Sequence, residues 1–209
     1  MLPTAMLDAE RVLIVGPHLS GKRQLFHSLL GRWATRPIVT ATRRDADRVR
    51  SEHDRVRSEH DGVADADEVV VIDCVSSLHE RDPVETPRTK HAAAPGNLTD
   101  IGTTFTSVLD ARSEQAIAVG VTSLSPLLMY SSAEDVYRFT RLVVQQATSE
   151  DVPVVATLKS DVHDEQVEHM IREPFEVMVE TRIGEDGNEF RARSREGTTE
   201  WRLIAETAK

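Results

Sequence analysis

The residues best equipped for chemistry stand together near the start of the chain, in Gly16-Pro17-His18-Leu19-Ser20-Gly21-Lys22. Glycine, four residues, then Gly-Lys is the spacing of a loop that wraps phosphate. Successive backbone N–H groups close around the anion, the following helix adds partial positive charge, and the lysine reaches the terminal phosphates. The expected contacts are Gly16, Pro17, His18, Leu19, Ser20, Gly21 and Lys22, with Arg23 and Gln24 added from the helix start. His18 fills a position that tolerates many residue types, so its ring either touches phosphate or faces away.

Hydrolysis asks for more. A hydroxyl normally follows the lysine and ligates Mg²⁺. Here that residue is Arg23, whose guanidinium donates hydrogen bonds and ligates nothing. Arg23 either contacts phosphate itself, offsetting charge that Mg²⁺ would neutralise, or points to solvent. An aspartate closing a second buried strand is also required. Asp73, after Val69-Val70-Val71-Ile72, has that setting, and equally the setting of an aspartate that caps a loop. It is the candidate catalytic residue, and no metal-ligating set stands out.

The elements that must position this loop follow from periodicity. Arg11–Val15 is a short apolar run that predicts a buried strand, and Leu25, Phe26, Leu29 and Leu30 recur at helical spacing behind the loop. Further strands are expected at 37–42, 69–72, 116–121 and 152–156, alternating with helices that bury Ile101, Phe105, Val108 and Leu109, then Val136, Phe139, Val143 and Ala147. Such alternation predicts a mainly parallel α/β sheet flanked by helices. Thr99 or Asp100 is the expected cap of the first of these helices, and Ser131-Ser132-Ala133-Glu134 matches a capping box for the second. His163-Asp164-Glu165-Gln166 reads as the start of a short helix rather than as a metal site. The segments 175–183, 189–195 and 200–204 read as a C-terminal antiparallel meander.

Two stretches interrupt this plan. Asp47-Arg-Val-Arg-Ser-Glu-His53 is copied without change as residues 54–60. The repeat predicts a charged surface helix with Val49 and Val56 on one face and Glu-His pairs at 52–53 and 59–60 in solvent. Residues 79–97 hold three prolines and almost no large apolar side chain, and read as a long loop.

Composition limits the function classes. The chain has 209 residues, enough for one domain, with a formal net charge of −10 and 21 arginines against 4 lysines. An acidic chain makes a poor general nucleic-acid binder, although a local basic patch remains open. A single cysteine, Cys74, rules out an internal disulfide and a cysteine-based zinc site. Neither a signal peptide nor an apolar run of about 18 residues is present, so a cytoplasmic protein is expected. Cys74, Trp33 and Trp201 read as packing residues, and Ser123 and Ser125 lack the glycines of a nucleophile elbow.

Taken together, Val15–Lys22, Asn97-Leu-Thr-Asp-Ile-Gly102, Ser123-Leu-Ser-Pro-Leu-Leu-Met-Tyr130, Val136-Tyr-Arg-Phe139 and His163-Asp-Glu-Gln166 resemble the RecA/KaiC-like P-loop ATPase superfamily. The nearest resemblance is to uncharacterised haloarchaeal RecA-superfamily ATPase-like proteins. It spans nearly the whole chain, 1–209, as a single domain. It implies a RecA-like fold, ATP as ligand with the place of Mg²⁺ left open, and assembly through a homo-oligomer or a protein partner. In that pattern a metal-linked aspartate precedes a serine, and the matching position here is Thr122 before Ser123. The catalytic glutamate follows the second strand, where this chain reads Thr40-Ala-Thr-Arg-Arg44 with no acid before Asp45. The cradle is kept while the hydrolytic residues are missing or displaced. That combination implies a nucleotide-binding regulatory or scaffolding protein with at most weak ATPase activity. The alternatives are a nucleotide-free interaction module and a competent Mg²⁺-ATPase using Asp73.

Overall fold

Strand β1 (Arg11–Gly16) shows why helices must cover the sheet on both sides. Its side chains alternate, Val12 and Ile14 entering one apolar cluster and Leu13 and Val15 the other. An uninterrupted apolar run is the mark of a parallel strand buried on both faces. The structure, a computed structural model, describes residues 4–61, 69–79, 83–112 and 117–204.

Around β1 the chain builds α1 (Thr4–Leu7), α2 (Lys22–Trp33), β2 (Ile38–Ala41), α3 (Ala46–Asp61), β3 (Val70–Asp73) and β4 (Thr89–His91). It continues through α4 (Leu98–Asp110), β5 (Val119–Val121), α5 (Ser125–Tyr130), α6 (Ala133–Ser149), β6 (Val154–Lys159) and α7 (Glu165–Arg172). The end of the chain forms β7 (Val177–Ile183), β8 (Asn188–Ser194), β9 (Gly197–Thr198) and β10 (Arg202–Leu203). The strands lie in the order β10-β8-β7-β1-β6-β5-β2-β3-β4, with β9 on β8. Helices α2 and α3 cover the Val12/Ile14 face, and α4, α5, α6 and α7 contribute to the core on the other.

Several expectations change. The C-terminal meander is present, β7 pairing antiparallel with β8, but its first strand also joins the parallel sheet beside β1, Val12 opposite Val177. Val177, Met178 and Val179 are buried in succession, so both faces of β7 are covered and it lies inside the sheet. Gly197–Thr198 forms a further short strand, β9, and the last strand shrinks to Arg202–Leu203. The long loop 79–97 contains β4, which extends the sheet in parallel beyond β3, Val71 opposite Thr89; residues 80–82 lie outside the described residues. Residue 116, the expected start of the β5 strand, also lies outside them.

Both expected caps move. Asn97 accepts from the Asp100 amide at 3.2 Å, because the Asp100 carboxylate turns back to the Ala93 amide at 2.7 Å. Ser132, not Ser131, caps α6 through the Asp135 amide at 3.1 Å, because the Ser131 amide still belongs to the end of α5, bonded to the Leu127 carbonyl at 2.9 Å.

The repeat is not simply a solvated helix. Val49, Glu52, His53 and Val56 stand at i, i+3, i+4 and i+7, one helical face, and all four are buried. Glu52 and His53 therefore belong to the interior, while Asp47 and Arg50 pair on the helix at 3.3 Å. The side chains of Glu59 and His60 lie outside the described residues.

Candidate phosphate-binding cleft

The loop opens where β1 stops. A side chain at Gly16 has no room: a Cβ there would lie 2.0 Å from Thr181 Oγ1 and 2.6 Å from the Thr181 carbonyl on β7. Beyond it, Leu19 (φ 64°) and Gly21 (φ 82°) take the left-handed conformation that bends a backbone into an anion nest. The tail presses on the second glycine as well, since a Cβ at Gly21 would meet Ile204 Cδ1 at 2.5 Å. Ser20 is buried and braces the loop, donating to the Pro17 carbonyl at 2.8 Å and sitting 2.6 Å from Thr181 Oγ1. Leu19 is exposed at the tip.

Lys22 lies folded over this loop. Its Nζ donates to the Gly16 carbonyl at 2.6 Å and to the Pro17 carbonyl, with Ser20 Oγ at 3.4 Å. Burial lowers its pKa to about 8; Asp161 opposes the shift, and Lys159 and Arg43 add to it. The amide of His18 donates to Asp161 Oδ2 at 3.2 Å.

A cleft of about 520 Å³ opens beside the loop, lined by His18 to Gln24, by the next turn of α2 and by residues from five other places in the chain. Its cationic residues are Lys22, Arg23, Arg43, Arg44, Arg55 and Lys159, and Glu52 is the one carboxylate among the lining residues. Glu52 Oε1 takes Arg44 at 2.9 Å, Arg23 at 3.1 Å and Arg48 at 3.4 Å. Behind it His27 Nε2 stands 3.9 Å from Oε2, and His27 and His53 face each other with Nδ1 atoms 3.4 Å apart. Burial works against ionising Glu52, but the His27 ring and the charges of Arg23 and Arg44 outweigh it and hold the carboxyl below its ordinary value. Burial pushes both imidazoles down, His53 to about 3.

The two acids singled out from the sequence are both engaged away from the cleft. Asp73 ends β3, four strand steps from β1 and so about 19 Å across the sheet. Its Oδ1 accepts from the Val75 and Ser76 amides at 2.8 and 2.9 Å, and its Oδ2 from the Ala46 amide at 2.9 Å and Ser76 Oγ at 2.7 Å. Asp45 accepts from the Arg48 amide at 2.9 Å at the start of α3. Thr122, by contrast, does reach the cleft. It sits just past β5, taking the Thr42 amide on Oγ1 at 3.1 Å.

Sequence reasoning missed Arg43, Arg44, Arg55 and Lys159. Arg43-Arg44 follows the end of β2, and Lys159 ends β6. Each stands at the carboxyl end of a parallel strand, where open α/β sheets place their ligands.

A family model described as a family of unknown function, DUF7504, matches residues 9–181, most of the chain. The chain belongs to the DUF7504 family. No curated protein matches it. Among solved structures, an uncharacterised protein of Pyrococcus horikoshii in complex with an unknown peptide is similar to the DUF7504 chain at TM-score 0.62 and 11% identity, over 90% of this chain and 84% of that one. A KaiC-like protein of Pyrococcus horikoshii OT3 is similar at TM-score 0.58 and 13% identity, over 95% and 84%. The fold of the DUF7504 chain is RecA/KaiC-like, a largely parallel sheet between helices with antiparallel strands at its C-terminal edge. Among the described residues no helix is long and apolar enough to cross a membrane.

Proposed function

We propose that the chain binds the phosphate chain of a nucleotide, ATP in the first instance, at the Gly16–Gln24 loop, and that it acts as a regulatory or scaffolding protein with weak or no hydrolysis. One observation carries the reading: a left-handed loop with Lys22 at its mouth opens onto a cleft rich in cationic side chains. Thr122 at the β5 end and Arg43-Arg44 after β2 support the second half, since neither place offers an acid to polarise water. The nearer kinship to haloarchaeal proteins, and assembly at a subunit seam, belong to the same proposal and rest on the sequence motifs. Calorimetric titration with ATP tests it: saturable binding that Lys22→Ala weakens at least tenfold is expected, and no binding by the unaltered chain overturns it.

A second reading, a nucleotide-free interaction module, has one observation in its favour. Lys22 is bonded to the loop's own carbonyls, and Asp161 takes one of its amides. Co-purification with a stable partner and no nucleotide would select it.

A further inference from the structure

Whether the cleft suits Mg²⁺ can be decided from its donor set. Mg²⁺ demands oxygen ligands in near-octahedral array. The residue after Lys22 is Arg23, and the first turn of α2 carries no acid. The lining hydroxyls are engaged with the protein: Ser20 Oγ donates to the Pro17 carbonyl at 2.8 Å and accepts from Lys22 at 3.4 Å, Thr122 and Ser123 accept from the Thr42 and Ser125 amides at 3.1 and 3.3 Å, and Thr157 donates to the Thr122 carbonyl at 2.6 Å. Glu52 is held by three guanidiniums. Asp161 is outside the cleft's lining and accepts a loop amide. A divalent cation would also meet six like charges against one carboxylate among the lining residues. The residues present do not fit the ion.

They do fit a polyanion that arrives without one. Arginine presents planar forks that match phosphate oxygens in pairs, whereas an ammonium acts as a point charge. Arg23 leaves the start of α2, Arg43 and Arg44 follow β2, Arg55 rises from α3 and Lys159 ends β6, so positive charge surrounds the loop from separate elements. Arg43 and Lys159 have no ion pair among the described residues. No Phe, Tyr or Trp ring is exposed among the cleft's lining residues; Phe26 is buried in the core.

We propose that the site binds polyphosphate without a metal ion, with Arg23 and its neighbouring cations doing the neutralising that Mg²⁺ does elsewhere. This rests on the phosphate-site reading above and names its ligand class: the metal-free phosphate chain, whether of a nucleoside triphosphate or free. A metal-free chain is more negative than its Mg²⁺ complex, so Mg²⁺ competes with the cleft for the ligand.

The experiment is calorimetry on the full chain with ATP, inorganic tripolyphosphate and adenosine, each in EDTA and in excess Mg²⁺. ATP or tripolyphosphate binding in EDTA, weakened at least threefold by Mg²⁺, is expected, with no binding of adenosine. If tripolyphosphate equals ATP, free polyphosphate is a source; if ATP alone binds, the nucleotide is. Arg23→Ser should cut affinity in EDTA at least tenfold and remove the Mg²⁺ penalty, and Arg23→Lys should recover part of the loss at an unchanged melting temperature. ATP binding that disappears in EDTA and returns with Mg²⁺ overturns this inference and leaves the nucleotide reading standing. Adenosine binding as tightly as ATP overturns it too. Absence of binding by every probe in both conditions overturns both.

Discussion

Two strand ends on the same edge of the sheet solve the same problem differently. Where β3 stops, the chain turns through several N–H groups, and the Asp73 carboxylate fills them from within, four hydrogen bonds to one side chain. Where β1 stops, the chain again curls around an anion-sized space, yet no residue of the loop supplies a carboxylate. Cations surround it instead. The first end is closed by its own sequence, and the second is where the proposed phosphate would sit. The loop itself holds no acid, and its His18 amide is met by Asp161 from just past β6, so the two ends differ in whether the carboxylate is built into the turn or reaches it from another element.

The sharpest way to break this contrast is to empty the closed end. Asp73→Ala strips three amides and a hydroxyl of their acceptor, and each unsatisfied buried group costs about 1–3 kcal/mol. Urea denaturation should show a loss of about 2–4 kcal/mol, part of it relieved by water, with ATP or tripolyphosphate affinity changed less than twofold. A tenfold loss of affinity without loss of stability would instead place Asp73 in the binding chemistry.

The open end should respond in the opposite sense. Lys22→Ala is expected to lower phosphate affinity by about thirtyfold, as loss of a charge-assisted contact does, while stability holds, because the desolvated ammonium bonds only to its own loop and Ser20. The pKa of about 8 adds a signature. Anions bind the protonated lysine, so affinity should fall as pH rises from 7 to 9, and Lys22→Arg should flatten that slope. A profile flat in both chains would show that Lys22 does not meet the ligand.

The wall behind Glu52 links the open end to stability. His53 is fully buried against His27, near Arg57, and stays neutral down to about pH 3, whereas the unfolded ring takes a proton near 6.5. The unfolded state therefore binds more protons as pH falls. Stability should be level above pH 6.5 and drop below it by about 1.4 kcal/mol per pH unit for this ring alone. The depressed pKa values of His27, Glu52 and Asp73 act in the same direction. Urea midpoints at pH 7.5, 6.5 and 5.5 test the slope, and His53→Leu should reduce it.

How far the sequence reveals these two ends follows from how local their physics is. Gly16 to Lys22 could be read as a strand-to-helix loop because the spacing lies along one turn, while phosphate binding there and the meaning of Arg23 and Thr122 for metal ligation belong to the proposal. Asp73 allowed two readings, since a strand-end aspartate looks alike whether it meets a ligand or its own amides; only the strand order, with three strands between β1 and β3, separates them. Glu52 and His53 were misjudged because a repeated charged heptad reads as solvent-facing until α2 and the cleft claim the Val49 face. The parallel pairing of β7 with β1 was hidden because antiparallel turns dominate the sequence that follows it.

The finest test concerns Asp161, a carboxylate outside the cleft's lining that touches the loop. Asp161 accepts the His18 amide at 3.2 Å and, by its charge, raises the basicity of Lys22. It thus competes with phosphate for the loop while helping the lysine stay protonated. Asp161→Asn keeps an acceptor for the amide and removes the charge. At pH 7 and low salt, affinity for tripolyphosphate should rise by about two- to fivefold, and the gain should shrink in about 0.5 M salt, as an exposed charge is screened. At pH 9 the sign should reverse, since without Asp161 the lysine gives up its proton more readily and the anion loses its partner. Asp161→Ala separates the remaining element: if it lowers affinity where Asp161→Asn raises it, the hydrogen bond shapes the loop and the charge opposes the ligand.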